Sequence, residues 1–90
     1  MSMEETSLIE YPSDFPIKIM GKSHDHLVQT VVDIVKRHAP DFDETAMLTT
    51  RSSKHGTYLS ITCTIRATSR PQLDALYQAL SNHPMISVVL

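Results

Sequence analysis

The order in which hydrophobic periodicities follow one another is the feature of this chain that most limits its fold. Alternation with a period of two is typical of a half-buried strand, and a three- and four-residue spacing is typical of an amphipathic helix. From residue 15 onward the chain shows a strand, a helix, two strands, a helix and a final strand. These elements use nearly all of the remaining chain. We therefore expect one small domain whose function lies on the sheet, its edges or a few loops.

The first half of the domain combines one strand with one helix. In residues 15–21, bulky apolar side chains occupy every second position up to residue 19, which predicts a half-buried strand. Ser23 is the predicted N-cap of the helix, with Asp25 in its first turn. An apolar stripe at helical spacing follows, and the helix should end just before Pro40, which prevents its continuation.

The second half begins with two strands and a hairpin. Residues 46–51 are weakly patterned and predict an edge strand, followed by a loop over residues 52–56. Residues 57–67 show the cleanest alternation in the chain and predict a central strand. Ser69 and Gln72 form a capping-box pattern that should start the second helix. Residues 85–90 are the predicted last strand.

This element order predicts a topology. Two helices with one apolar stripe each are best buried on the same face of an antiparallel sheet, and right-handed crossovers then give the strand order 4-1-3-2. The fold class is α+β, a ferredoxin-like β-α-β-β-α-β sandwich over residues 15–90. Residues 1–14 carry several acids and no apolar period, so they are predicted to form a mobile N-terminal arm.

Charge and cysteine content narrow the class of protein further. Eight Lys and Arg nearly balance ten Asp and Glu, so the whole molecule has no strong attraction to nucleic acid or anionic lipid. The one cysteine, Cys63, excludes an internal disulfide and suits a reducing compartment. Residues 1–10 are acidic where a signal peptide would be basic and then apolar, and no apolar run is long enough for a bilayer. We expect a cytoplasmic protein without a membrane partner.

Residues capable of chemistry are few, and they do not form a recognisable catalytic or metal-binding pattern. Cys63 lies between Ile61 and Ile65 on one strand face and is interpreted as a core residue. His24 and His26, two residues apart on the predicted helix, would point to nearly opposite sides and could not share an ion. We therefore predict no catalytic residues, no metal and no cofactor. The remaining histidines are predicted in turns or at element ends: His38, His55 and His83.

The loop after the first strand is a candidate ligand site. Gly21, Lys22, Ser23 and His24 lie between a strand end and a helix N-terminus, where free amides and a lysine can hold a small anion. The sequence favours the plainer interpretation of these residues, an ordinary tight turn that carries a cap. An enzymatic function would have to rest on this loop alone, over residues 21–25.

The sheet face away from the helices is the candidate partner surface. The Lys54, Gly56 and Tyr58 spacing is similar to the basic, glycine and aromatic pattern of RNA-recognition sheets. Ser60 and Thr62 stand where such sheets present stacking aromatics, so the face does not favour nucleic acid. The predicted surface consists of Lys18, Met20, Arg51, Lys54, Tyr58, Thr62 and Arg66.

Four segments in this order resemble the YbeD-like family of small bacterial proteins: residues 11–21 (YPSDFPIKIMG), 38–40 (HAP), 53–60 (SKHGTYLS) and 88–90 (VVL). The resemblance implies a ferredoxin-like fold similar to ACT regulatory domains, a bacterial cytosolic protein and no assigned activity. In ACT domains small effectors bind near a glycine in the loop after the first strand, and Gly21 matches that glycine by position.

The sequence thus predicts a non-enzymatic regulatory or protein-interaction domain. We expect it to associate with itself or with a partner protein through a sheet edge or the open face. A small-molecule effector near Gly21 is the accompanying hypothesis. The alternative is an RNA-binding module that uses Lys18, Arg51, Tyr58 and Arg66 on the open face.

Overall fold

A computed structural model describes residues 10–90 of the chain. The strands form one antiparallel sheet in the order β2-β3-β1-β4. This is the predicted order 4-1-3-2 seen from the other edge, so the ferredoxin-like α+β fold is confirmed. The elements are β1 (Ser13–Lys22), α1 (Leu27–His38), α2 (Glu44–Met47), β2 (Leu48–Ser52), β3 (Tyr58–Ala67), α3 (Arg70–Ser81) and β4 (Val88–Val89).

One face of the sheet carries the hydrophobic core. The long central strands β1 and β3 pair from Ser13↔Ala67 to Lys22↔Tyr58, and alternate residues of both strands point toward the helices. The apolar stripes of α1 and α3 belong to the same core cluster as these strand residues, so both helices lie on one face, as predicted. None of the helices within residues 10–90 has the length and apolar content needed to cross a membrane. The strand residues with no exposed surface are Ile17, Ile19, Ile61, Cys63, Ile65 and Ala67.

The start of α1 differs from the prediction. Its N-cap is His26, which makes no side-chain capping bond, so the predicted N-cap at Ser23 is wrong. The reason is that the Ser23 N–H donates to the Thr57 carbonyl at 2.9 Å, which extends the β1–β3 pairing beyond Lys22. Asp25 consequently precedes the helix instead of lying in its first turn.

The edge strand β2 begins later than predicted. Residues 44–47 form the single-turn helix α2, so β2 begins at Leu48. The Asp43 side chain accepts a hydrogen bond from the Thr45 N–H at 3.0 Å and caps this turn. A helix of one turn is too short to show a periodicity in the sequence, and tertiary contacts and this cap decide its conformation.

The two ends of the domain also differ from the predicted boundaries. β1 begins at Ser13, and Ser13 and Asp14, which the predicted arm included, pair with β3. Residues 1–9 of that arm lie outside the described residues. At the other end β4 is limited to Val88–Val89, although Leu90 still exchanges two main-chain hydrogen bonds with Lys18 at 3.2 and 2.8 Å.

The start of α3 confirms Ser69 as the predicted N-cap, but the Gln72 side chain bonds to the Thr68 N–H and not to the N-cap N–H that a capping box uses. The Ser69 hydroxyl accepts a hydrogen bond from the Gln72 N–H at 3.2 Å. The Gln72 side chain accepts from the Thr68 N–H at 2.7 Å and donates to the His38 carbonyl at 2.8 Å. Gln72 therefore joins the first turn of α3 to the last turn of α1, which fixes the two helices beside each other above the sheet.

Candidate functional site

The sheet register determines which side chains meet on the open face. Thr49, Thr62 and Lys18 lie side by side in one row across β2, β3 and β1. Arg51, Ser60 and Met20 form the next row, which continues to Val88 on β4. Tyr58 and Lys22 face each other at the hairpin end. The even-numbered residues of β1 and β3 thus share this face with the odd-numbered residues of β2.

A shallow groove lies at the hairpin end of the open face. Its volume is about 520 Å³, and four of the seven predicted partner residues line it. Arg66 lies apart, because it is eight positions along β3 from Tyr58, roughly 26 Å at the usual rise of a strand. Lys18 and Thr62 lie in the row next to the groove. The groove, which we call the hairpin groove, is lined by Met20, Arg51, Ser52, Ser53, Lys54, Tyr58 and Ser60.

The hairpin itself positions the groove residues. The Ser53 N–H donates to the Tyr58 carbonyl at 2.9 Å, and the Ser53 hydroxyl accepts from the Tyr58 N–H at 3.0 Å. Gly56 donates its N–H to the Ser53 carbonyl at 3.0 Å and has a φ of 73°, which favours glycine. These bonds close the loop and place Lys54 at the rim of the groove, with Tyr58 39% exposed beside it.

The outer edge of β2 borders the hairpin groove. The Ser53 N–H donates to the Tyr58 carbonyl, so the Ser53 N–H faces β3. Along an antiparallel ladder, residues whose main chain faces the neighbouring strand alternate with residues whose main chain faces away. Consequently the main-chain groups of Leu48, Thr50 and Ser52 point away from β3. Within residues 10–90 no strand pairs with this edge. The chain therefore presents a ready hydrogen-bonding edge beside a groove.

Charge is distributed unevenly between the two sides of the molecule. The four strands and the β2–β3 hairpin carry five cations but only one acid, Asp14, which lies opposite Arg66. The other seven acids of residues 10–90 lie outside the sheet and hairpin, with three cations. The sheet side is thus basic although the whole chain carries a net charge of −2. The five cations are Lys18, Lys22, Arg51, Lys54 and Arg66.

The ion pairs between described residues lie on the helical side. Lys36 pairs with Glu44 at 2.8 Å, and Arg70 pairs with Asp74 at 3.2 Å. The hydrogen bond and charge of the Glu44 carboxylate raise the pKa of Lys36. Both pairs are exposed, so they add little to stability, but they neutralise cations there.

The predicted ligand loop borders a second cleft. Lys22, Ser23 and His24 line a cavity of about 410 Å³ together with residues 84, 85 and 87. Gly21 does not line this cleft; it is buried below it, where an added Cβ would collide with the Met85 carbonyl. The Ser23 amide is engaged by Thr57, so the donors left to a ligand are mainly side chains.

The histidines of this loop lie differently from the prediction. His24 and His26 precede α1, and their ring centroids are 5.4 Å apart. The His26 N–H donates to His24 Nδ1 at 3.0 Å, so this ring nitrogen serves the turn. Among residues 10–90 no group of three or more His, Cys, Asp or Glu is placed to hold a metal ion.

Cys63 is the one thiol, and it lies on the covered face of the sheet. It has no exposed surface, and burial raises the pKa of the thiol to about 12. The side chain is therefore a neutral thiol near pH 7, which is a poor nucleophile.

The four-stranded antiparallel sheet with α1 and α3 on one face defines the class as small ferredoxin-like domains. The solution structure of protein HP0495 from H. pylori has the same fold, with a TM-score of 0.73 at 14% identity over all of this chain and 93% of that chain. At this identity the likeness concerns the fold alone.

The family follows from sequence. Residues 6–90 match the family described as "Protein of unknown function (DUF493)". The UPF0250 protein NE1487 of Nitrosomonas europaea is 65% identical over 88 residues, covering 98% of this chain and 100% of the relative. A UPF0250 protein of Bordetella pertussis is 58% identical over 86 residues, covering 96% of this chain and 93% of the relative. The chain belongs to this DUF493/UPF0250 family of bacterial proteins, which confirms the YbeD-like resemblance.

Proposed function

We propose that this protein is a non-enzymatic interaction domain that binds a partner protein along the outer edge of β2 and in the adjoining hairpin groove. The observation that carries the proposal is the outward-pointing main chain of Leu48, Thr50 and Ser52 beside that groove. An extended segment that adds to a sheet edge gains affinity from main-chain hydrogen bonds and specificity from side-chain pockets.

The groove adds specificity to the edge. Met20 and Ser60 lie in adjacent positions of one row on its floor, and the exposed ring of Tyr58 offers an amphipathic contact at the hairpin end. A second copy of the chain is the other occupant that the sequence predicts. Two open faces in contact, however, would bring basic surfaces together, which favours a different protein as the partner.

The substitution Thr50→Pro tests this proposal. The Thr50 N–H points outward, so Thr50→Pro removes an edge donor without removing a β2–β3 hydrogen bond, and Thr50→Ser keeps the donor. The wild type and Thr50→Ser should retain the same proteins from a bacterial lysate, and Thr50→Pro should lose them while its thermal unfolding stays close to wild type. Retention of an identical set by all three baits would refute the edge as the binding site. Light scattering at several concentrations measures self-association separately.

A second candidate function is the binding of a small anionic effector in the cleft beside the first strand–helix loop. Its specific support is that Lys22, Ser23, His24 and Ser87, which carry polar or basic side chains, all line one cavity. Amino acids and short carboxylic acids can be screened by the increase in melting temperature that a ligand of the folded state produces. A ligand of this cleft should lose its effect with Lys22→Met and keep it with Lys54→Met. An unchanged melting temperature across the screen would remove this candidate.

A further inference from the structure

We infer that the occupant of the β2 edge is an acidic, extended peptide segment that pairs with β2 as an additional strand. This inference rests on the proposed function and names the chemistry of the partner. It is carried by two features that coincide: an unpaired strand edge and a basic surface at the same end of the sheet. Neither feature alone distinguishes an acidic peptide from other partners.

The geometry of the edge determines how such a segment binds. Thr50 and Ser52 each offer an outward N–H and carbonyl, and Leu48, the C-cap of α2, offers an outward carbonyl. These positions are spaced two residues apart, as an added antiparallel or parallel strand requires. The side chains of the added strand alternate between faces, so every second one lies on the open face beside Thr49 or Arg51. The edge contains no proline and no bulge in its pairing with β3.

The charges near the edge determine which side chains the segment carries. Arg51 lies in the middle of the open-face row, and Lys54 lies at the rim of the hairpin groove. Neither cation forms an ion pair with an acid of residues 10–90. Asp43 and Glu44 lie at the opposite, Leu48 end of the edge. Acidic side chains of the partner are therefore placed toward the hairpin, where they meet Arg51 and Lys54, and no acid of residues 10–90 lines the hairpin groove.

A peptide fits this surface better than RNA does. Sheets that bind single-stranded RNA stack bases on several aromatic side chains, and Tyr58 is the one exposed aromatic on the described part of the open face. Ser60 and Thr62 follow it along β3 and offer no stacking surface. The main-chain edge, in contrast, matches the backbone of a peptide and has no counterpart in a sugar–phosphate chain.

Amide NMR of the full ¹⁵N-labelled chain tests the inference directly. The probes are a capped octapeptide of alternating threonine and glutamate and its matched control of alternating threonine and lysine. The glutamate peptide should shift the amides of residues 48–54 and slow hydrogen exchange at Thr50 and Ser52, which gain partners. The lysine peptide should bind about tenfold more weakly or worse.

Charge reversal supplies the decisive comparison. The double variant Arg51→Glu, Lys54→Glu should lose about tenfold in affinity for the glutamate peptide and should prefer the lysine peptide. Thr50→Pro should weaken the binding of both peptides to a similar extent. No shift with either peptide at millimolar concentration, or shifts confined to another surface, would overturn the inference.

The outcomes separate this inference from the proposed function. If Thr50→Pro abolishes partner retention but charge reversal changes nothing, the edge is the binding site and the acidic chemistry is wrong. If Thr50→Pro changes neither partner retention nor peptide binding, both proposals fail. A uridine octanucleotide that binds more tightly than the glutamate peptide, shifts residues near Lys18 and Arg66, and ignores Thr50→Pro would overturn the inference in favour of phosphate binding.

Discussion

At the scale of single residues, Gly21 and Gly56 are required for different physical reasons. A Cβ at Gly21 would meet the Met85 carbonyl and the Leu27 side chain, and the former belongs to the backbone and cannot rotate away. A Cβ at Gly56 would meet nothing within 4 Å, but φ there is +73°. We expect Gly21→Ala to lower the free energy of unfolding by about 3 kcal/mol and Gly56→Ala by about 1 kcal/mol. Urea denaturation of both variants measures this; equal losses would contradict the steric argument for Gly21.

Cys63 makes stability depend on pH in the alkaline range. Burial raises its pKa from 9.0 to about 12, so the folded state keeps the proton that the unfolded state releases above pH 9.0. The thiol's contribution to the free energy of unfolding is therefore fully present below its pKa in the unfolded state. It is lost as the pH rises toward its pKa in the folded state, by at most about 1.4 kcal/mol per pH unit. Relative to Cys63→Ala, the wild type should lose stability between pH 9.0 and 12 and show a constant difference at lower pH. A difference that stays constant throughout would mean that the thiol ionises equally well in both states.

At the scale of elements, the cap of α3 is a local signal in the sequence that the structure bears out. The Ser69 hydroxyl accepts the Gln72 N–H, and removal of this acceptor leaves a first-turn donor without its partner. Ser69→Ala should lower the free energy of unfolding by about 1 kcal/mol, whereas Ser81→Ala, at the exposed other end of the same helix, should change it by less than about 0.5 kcal/mol. Thermal or urea unfolding of the pair gives the comparison. A loss at Ser81 as large as that at Ser69 would mean that capping is not the cause.

The elements that the sequence predicts correctly are those whose information is local. The alternation of β3 and the capping residues of α3 lie within short windows and need no distant partner to be recognised. The predicted N-cap at Ser23 is wrong, and α2 was not predicted, because their conformations depend on contacts outside a short window. Ser23 has the chemistry of an N-cap, but a long-range bond to Thr57 commits its backbone to the sheet, and α2 depends on a cap and tertiary contacts. A nonlocal hydrogen bond overrides intrinsic propensity at Ser23, and tertiary contacts together with a local cap decide the conformation of α2.

At the scale of the whole molecule, the candidate site is only partly visible in the sequence. Alternation along β3 and β1 identifies the open face, and thus Met20 and Tyr58, without any structure. The register of β2 is what places Arg51 in the same row as Met20 and turns Lys54 toward the groove. The uneven distribution of charge is invisible in a composition that nearly balances, because cations far apart along the chain meet only when the strands pair.

This uneven charge makes a prediction that involves no partner. Although the net charge is −2, the wild type should bind a sulfopropyl cation exchanger at pH 7 and low salt through its basic sheet side, since local fields act over about 10 Å at 0.1 M salt. Arg51→Glu with Lys54→Glu should abolish retention. The double variant Arg37→Glu, Arg70→Glu has the same net charge, but its substitutions lie on the helical side, so this variant should still be retained. The salt concentration at elution ranks the three proteins. If both double variants elute together, net charge governs the interaction, and the basic sheet side has no separate effect.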